Sequence, residues 1–464
     1  MPREKKNELT RAQKRFLRKL FPKDSSLFEA EETWIYGTDA SRIFVPPLAV
    51  VRPESVEQVK ELLSWAHREK LPLIPRARAT NVVGACIPGN KGIVVSTLKL
   101  NRVLEIDADD FTAVAEPGVV TADFQNQVKA QGLYYPPDPA SVNISTLGGN
   151  VSTNAGGLRA IKYGVTRDYV LGIEAVLPGG EIVNTGKKVF KDVVGLDLTS
   201  LLVGSEGTLA FYTKILFKLL SLPQASATAL LGFPDLDTVM QSAKELFQSD
   251  LTPVAMEFLD QNTISCLRKA GKLPVPPDSN CLLLLQFEGL REHVQGDLHR
   301  LSYLSRTWGN KYMDIADSKE KEQELWEVRK QINPASFQMG PNKMSVDVSL
   351  PRGKLQAAVR EIGQIGENFG LYVLIFGHLG DGNLHVNVMY DSGKNSESLF
   401  AGKLIERVLY KVLELGGSIS GEHGVGLVKK PYLNQQLSRK QRNLMQGIKR
   451  VFDPENIMNP YKAY

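Results

Sequence analysis

Residues 141–157 read SVNISTLGGNVSTNAGG, and small side chains crowd the whole stretch around the pairs Gly148–Gly149 and Gly156–Gly157. Glycine pairs let a backbone approach something bulky with no Cβ in the way. One such cluster would be an ordinary turn. Two more follow: the Gly179–Gly180 turn of the hairpin GIEAVLPGGEIVNTG, and the glycine pair around Glu206 in LLVGSEGTL. Three together in an α+β pattern favour a phosphate-bearing or planar cofactor laid against backbone.

Outward from this stretch, residues 44–222 alternate short apolar strands with amphipathic helices. ESVEQVKELLSWAHREK starts at Ser55, has a glutamine three residues on, and repeats Val56, Val59, Leu62, Leu63 and Ala66 at helical spacing. It reads as a capped helix with one buried face, with His67 on its surface. LPLIPRA is a strand entering a loop, and GIVVST, VLEID and TAVAEPG are strands of one small sheet. Beyond residue 223 the strand-like runs ATALLGFP, CLLLLQFEG and YVLIFGH alternate with long charged helices such as DSKEKEQELWEVRKQI, joined in part by the loop GKLPVPPDSN. That predicts a second α+β domain with an antiparallel sheet. The chain ends in a helix stopped at Asp453–Pro454 and an extended tail.

At 464 residues the chain exceeds a single ordinary core. Its 42% hydrophobic and 23% charged composition is that of a soluble chain, and no run approaches the roughly 18 apolar residues that span a bilayer. MPREKKNELTRAQKRFLRKLF lacks the apolar core of a secretory signal, so a cytoplasmic location is expected. Net charge is +5, partly concentrated in that segment, where Phe16, Leu17, Leu20 and Phe21 form an apolar stripe among basic residues. A surface helix is one reading; a helix docking on a partner or lying peripherally on a membrane is the other. No nucleic-acid module is recognisable. Cys86, Cys266 and Cys281 stand apart, so one chain supplies neither an iron–sulfur cluster nor a cysteine-rich zinc site.

FGHLGDGNLHVNV, residues 376–388, places two of six histidines around a Gly-Asp-Gly-Asn turn. If Gly380–Asn383 is the hairpin loop, His378 faces His385 with Cβ atoms roughly 5 Å apart. Asn387 points to the same side. A structural pair and a metal-binding pair are both compatible with this spacing.

The motifs RPESVEQVKELLSWAHREKLPLIPR, PPDPAS, TLGGNVSTNAGG, KYGVTRDYVLG, GSEGTL, GHLGDGNLH, SGEHGVG and FDPENIMNP, in this order over residues 35–464, resemble the flavin-dependent D-2-hydroxy acid dehydrogenases. That family includes the glycolate oxidase flavin subunit, D-lactate dehydrogenase and D-2-hydroxyglutarate dehydrogenase, within the vanillyl-alcohol oxidase superfamily. The resemblance implies an α+β protein: an N-terminal helical segment (1–42), a bipartite FAD-binding domain (43–222), a cap domain carrying the substrate site (223–415), and a C-terminal segment returning to the flavin (416–464). It implies FAD contacts at Pro75, Arg76, Ala77, Arg78, Ala79, Thr80, Asn81, Gly84, Ala85, Pro137, Asp138, Ser141, Thr146, Gly148, Gly149, Asn150, Ser152, Asn154, Ala155, Glu206, Gly207 and Asn459. The loop PRARATNVVG departs from the family, which has glycines where this chain has alanines and Arg78. Left-handed angles cost roughly 1 kcal/mol or more at each alanine, which a phosphate contact from Arg78 would offset.

The resemblance also implies one divalent metal ion (Zn, Mn or Fe) on His378, His385 and Glu422, His423 as general base, and Arg329, Lys343 and Asn387 on the substrate. D-lactate is the expected substrate, with glycolate and D-2-hydroxyglutarate as alternatives. PRARATNVVG has neither histidine nor cysteine, so the flavin is expected to be non-covalent, Cys86 lying just beyond. No second nucleotide fingerprint follows, so electrons should leave to an external acceptor: an electron-transfer flavoprotein, an iron–sulfur subunit or a quinone, with Arg3–Lys23 as a docking element. The competing readings are a metallohydrolase, a non-catalytic flavoprotein subunit of a redox complex, and a flavin enzyme without net oxidation, as in the alkyl-ether-lipid synthase branch.

Overall fold

The computed structural model describes residues 8–463 except Asn90, Lys272 and Pro274. The chain divides into two compact units, residues 1–156 with 165–222 and 422–464, and residues 157–164 with 223–421.

In the first unit the strands Ala49–Val51, Ile93–Ser96 and Leu73–Arg76 run parallel, and the short Ser26–Leu27 adds antiparallel to the outer edge. The helix Val56–Glu69 crosses between two of these strands. Ser55 caps it by accepting the Gln58 N–H, and Val59, Leu62, Leu63 and Ala66 are buried as their spacing predicts. A second sheet is antiparallel, in the order Val103–Asp107, Thr112–Ala115, Phe211–Lys218, Val170–Val176, Ile182–Gly186. The three runs expected in one sheet therefore separate into two. Ile93–Ser96 is buried along its length, as a strand inside a parallel sheet must be, whereas Val103–Asp107 is a partly exposed edge.

The helix Arg11–Leu20 corrects the second reading of the N-terminal stripe. Leu17 and Phe21 are fully buried in the unit's own core, and the Phe16 ring stacks on Trp65 at 4.5 Å. Its apolar face is thus consumed by folding. Residues 1–7 of the suggested docking element lie outside the described residues.

The second unit is built on a seven-stranded sheet, with every adjacent pair antiparallel. The order is Tyr312–Ile315, Ala225–Phe233, Cys281–Gly289, Ala255–Leu259, Tyr372–His378, Asn383–Tyr390, Asn342–Ser349. One face is closed by Ile264 and Leu267 of the helix Gln261–Lys269, Leu325 and Val328 of Lys319–Lys330, and Ile332 of Ile332–Ser336, all packed on Leu259, Leu284, Leu374 and Phe376. His378 continues the Leu374–Phe376 stripe by the two-residue period, so it stands at the end of that apolar face.

Candidate functional site

A cavity of about 290 Å³ lies within the first unit, lined by parts of residues 75–86, 139–156 and 206–212, with Thr97, Pro117, Glu422 and His423. Of the residues implied for the flavin, Pro75, Arg76, Ala77, Arg78, Ala79, Thr80, Asn81, Ala85, Ser141, Thr146, Gly148, Gly149, Asn150, Ser152, Ala155, Glu206 and Gly207 line it. Gly84, Pro137, Asp138, Asn154 and Asn459 are not on its wall. Asn154 sits left-handed at a helix end, with its Oδ1 accepting the Arg167 N–H. Asn459 is a brace: its Nδ2 donates to the carbonyls of Ala85 and Glu206, two residues that line the cavity.

The PRARATNVVG loop meets its conformational demand differently from expectation. Of its alanines only Ala79 is left-handed, at φ 56°. Asn81 organises the rest, accepting the N–H groups of Val83 and Ala85 on Oδ1 and donating Nδ2 to the His423 carbonyl at 2.9 Å. One side-chain amide thus supplies the local bonds that fold the loop. Glu206, at φ 51°, turns its carboxylate to the Val425 and Gly426 N–H groups, and both it and Gly207 line the cavity. Burial raises its pKa despite those two bonds.

Sequence reasoning missed Thr97, and no motif signalled it. Its hydroxyl oxygen and that of Thr146 are buried without a hydrogen-bond partner, and both residues line the cavity. Orphaned hydroxyls in a backbone-walled cleft fit a ligand with polar edges. Cys86 also lines it. Burial pushes this thiol up to about 11, so it stays protonated and a weak nucleophile at neutral pH.

In the second unit the hairpin turns one residue earlier than expected. His378 pairs with Asn383, and Phe376 pairs with His385. Leu379–Gly382 form the loop, where Gly382 at φ 88° has the Leu350 carbonyl where a Cβ would stand. Sliding a four-residue loop by one moves cross-strand partners by two, which preserves the face. The imidazoles therefore still meet, with ring centroids 5.1 Å apart and planes at 89°. Asn387 shares that face, buried, and its Oδ1 accepts from Ser345 Oγ at 2.6 Å. Lys343 also lies on this face, two residues before Ser345, and donates to Asn333 Oδ1.

A residue that sequence reasoning missed anchors the cluster. Glu257 lies opposite His378 in the neighbouring strand and is fully buried. Its Oε1 bonds His378 Nδ1, and its Oε2 accepts from Arg329 Nε at 2.6 Å, while the guanidinium lies 4.7 Å from the Phe376 ring centre. Burial alone would raise this carboxyl, but its electrostatic and hydrogen-bond interactions with His378 and Arg329 outweigh that and bring it to about 2. The available signal was one acid inside the apolar run PVAMEFL. The chain leaves this unit at Gly421, whose N–H bonds Asp347 Oδ2 at 2.8 Å; Glu422 is the next residue.

Residues 222–463 match the FAD linked oxidases, C-terminal domain, and residues 47–186 match the FAD binding domain. The chain belongs to the FAD-linked oxidases. This FAD-linked oxidase is 36% identical to the glycolate oxidase subunit GlcD of Bacillus subtilis, over 93% of its length and 92% of the relative's. It is 35% identical to the D-2-hydroxyglutarate dehydrogenase of Stutzerimonas stutzeri (94% and 96%) and 32% to a D-lactate dehydrogenase of Anaerostipes hadrus (94% and 92%). Its fold is that of p-cresol methylhydroxylase, at TM-score 0.80 and 18% identity over 97% of both chains. Alkyldihydroxyacetonephosphate synthase shares it at TM-score 0.77 and 20% identity, over 98% of this chain and 86% of the other. The bipartite α+β flavoprotein architecture implied by the motifs is thus the one observed, and the cofactor is FAD.

Proposed function

We propose that this oxidase converts a D-2-hydroxy acid, D-lactate first among them, to the 2-keto acid and passes the electrons to an external acceptor. The observation that carries the reading is the face holding His378, His385, Asn387 and Arg329 in one unit of a chain whose other unit holds the FAD cleft. Relatives named for D-lactate, glycolate and D-2-hydroxyglutarate support the substrate class. Bound FAD supplies the hydride acceptor, held non-covalently beside a protonated Cys86. The family resemblance would put a divalent cation of the Zn, Mn or Fe type on His378, His385 and Glu422, and such a cation would supply Lewis acidity at the substrate oxygen.

The chain's own residues then divide the work. Arg329, its Nε turned to Glu257, presents its Nη groups to the substrate carboxylate, with Lys343 adding positive charge. Asn387 orients the substrate beside the imidazoles. His423 takes the hydroxyl proton on a ring nitrogen. Three isolated cysteines cannot hold an iron–sulfur relay, so the acceptor is an electron-transfer flavoprotein, a separate iron–sulfur subunit or a quinone.

An anaerobic screen with D-lactate, L-lactate, glycolate, D-malate and D-2-hydroxyglutarate tests the reading. D-Lactate should bleach the flavin absorbance fastest, and artificial dyes should sustain turnover that NAD does not. Faster bleaching by glycolate or D-2-hydroxyglutarate would reassign the substrate; no bleaching by any hydroxy acid would overturn the class.

A further inference from the structure

Glu257 is the only acid in the strand Ala255–Leu259, its carboxylate has no exposure, and each oxygen is committed to a different functional side chain. A bare buried carboxylate is costly, and here Arg329 supplies a countercharge while both partners supply a hydrogen bond. The geometry has two consequences. Since Glu257 accepts at His378 Nδ1, the proton of the imidazole sits on Nδ1 and the lone pair on Nε2. Since Glu257 accepts from Arg329 Nε, the guanidinium is anchored through that nitrogen, and its outer edge, formed by the two Nη groups, is not the edge this bond uses. The Phe376 ring under the guanidinium restricts it further.

We propose that Glu257 is a positioning residue serving both halves of the substrate site at once: it fixes His378 as an Nε2 metal ligand and Arg329 as a fork for the substrate carboxylate. The proposal deepens the metal-assisted reading above and rests on it. One carboxylate sets the spacing between the cation that would hold the substrate hydroxyl and the arginine that would hold its carboxylate. Those groups are adjacent in any 2-hydroxy acid, so a shared anchor ties recognition to the 2-hydroxy acid unit rather than to the side chain.

The test uses the FAD-loaded full chain and Glu257→Gln, which keeps shape but offers an amide N–H where one oxygen accepted. The amide oxygen can accept from one partner only, and the amide N–H can meet His378 only if the imidazole proton moves to Nε2, the atom the metal needs. Mn²⁺ affinity, measured by titration of chelator-treated protein, should fall roughly ten- to a hundredfold, the range for loss of a carboxylate behind a ligating histidine. With saturating Mn²⁺, kcat should recover further than KM for D-lactate, because metal excess restores the ligand but not the arginine fork. Wild-type Mn²⁺ affinity together with wild-type KM in a folded variant would overturn the proposal.

His385→Ala separates this failure from failure of the metal reading. If His385→Ala loses Mn²⁺ while Glu257→Gln keeps it, only the role of Glu257 falls; if both keep it, the metal assignment and this inference fall together. Should Glu257→Gln not fold, nitrogen-15 histidine spectra of the metal-free wild-type protein decide. The resonance lost in His378→Ala should report Nδ1 protonated and Nε2 bare, and the opposite tautomer would refute the assignment.

Discussion

His423 lines the first unit's cavity with about a third of its side chain exposed, and its Nε2 lies 3.7 Å from Glu422 Oε1. Its backbone carbonyl is held by Asn81, so the ring's base is fixed while the ring itself keeps access to the cavity. That combination suits a proton acceptor. His423→Asn should lower kcat about a hundredfold or more with a smaller change in KM, since proton removal acts in the transition state. Steady-state kinetics at saturating dye checks this, and an unchanged kcat would place the base elsewhere. The flavin spectrum should stay intact, because the contacts that build the cleft do not depend on the imidazole.

At the scale of elements, caps and turns determine where functional side chains stand. Asp260 caps the helix Gln261–Lys269, accepting from Thr263 N–H, from its hydroxyl, and from the Ile375 N–H of the strand that carries His378. It therefore couples that helix to that strand. Burial raises its carboxyl to about 6 from an ordinary 3.8, its hydrogen bonds opposing the shift. The folded state then binds more protons than the unfolded chain between about pH 4 and pH 6. Stability from this group is full below pH 4 and is lost as pH rises through 6. A shift of this size corresponds to roughly 2–3 kcal/mol at most. Asp260→Asn keeps an acceptor and removes the buried charge, so its melting temperature should lack the decline that the wild type shows from pH 4 to 6. Parallel pH-dependent melting curves for the two proteins would expose an error.

Across the whole molecule, the cavity proposed for FAD is lined by first-unit residues, and the paired imidazoles with Glu257 and Arg329 belong to the second unit. Cofactor retention and metal dependence should therefore separate. Prolonged chelator treatment should abolish hydroxy-acid turnover while leaving the flavin absorbance unchanged, and added Mn²⁺ or Zn²⁺ should restore turnover. Full activity in protein shown metal-free by elemental analysis would eliminate the metal. Among the described residues no helix is long and apolar enough to cross a membrane.

The order of the motifs, the glycine pairs and the capped helix at Ser55 were legible from the chain because each depends on local chemistry: a missing Cβ, a side-chain oxygen three residues from an N–H, a helical period. The meeting of His378 and His385 was legible for a related reason, since strand alternation survives a two-residue slip in partner register. What lies far apart in sequence was decided only by folding. The separation of three short strands into two sheets depended on which strand was buried on both faces. The apolar stripe of the first helix looked available until Trp65 and the core covered it. Glu257 read as one acid in an apolar strand, because its meaning comes from Arg329, 72 residues away, and His378, 121 residues away. Burial of a charge and the partners that make it tolerable are properties of the packed chain, and no local pattern encodes them.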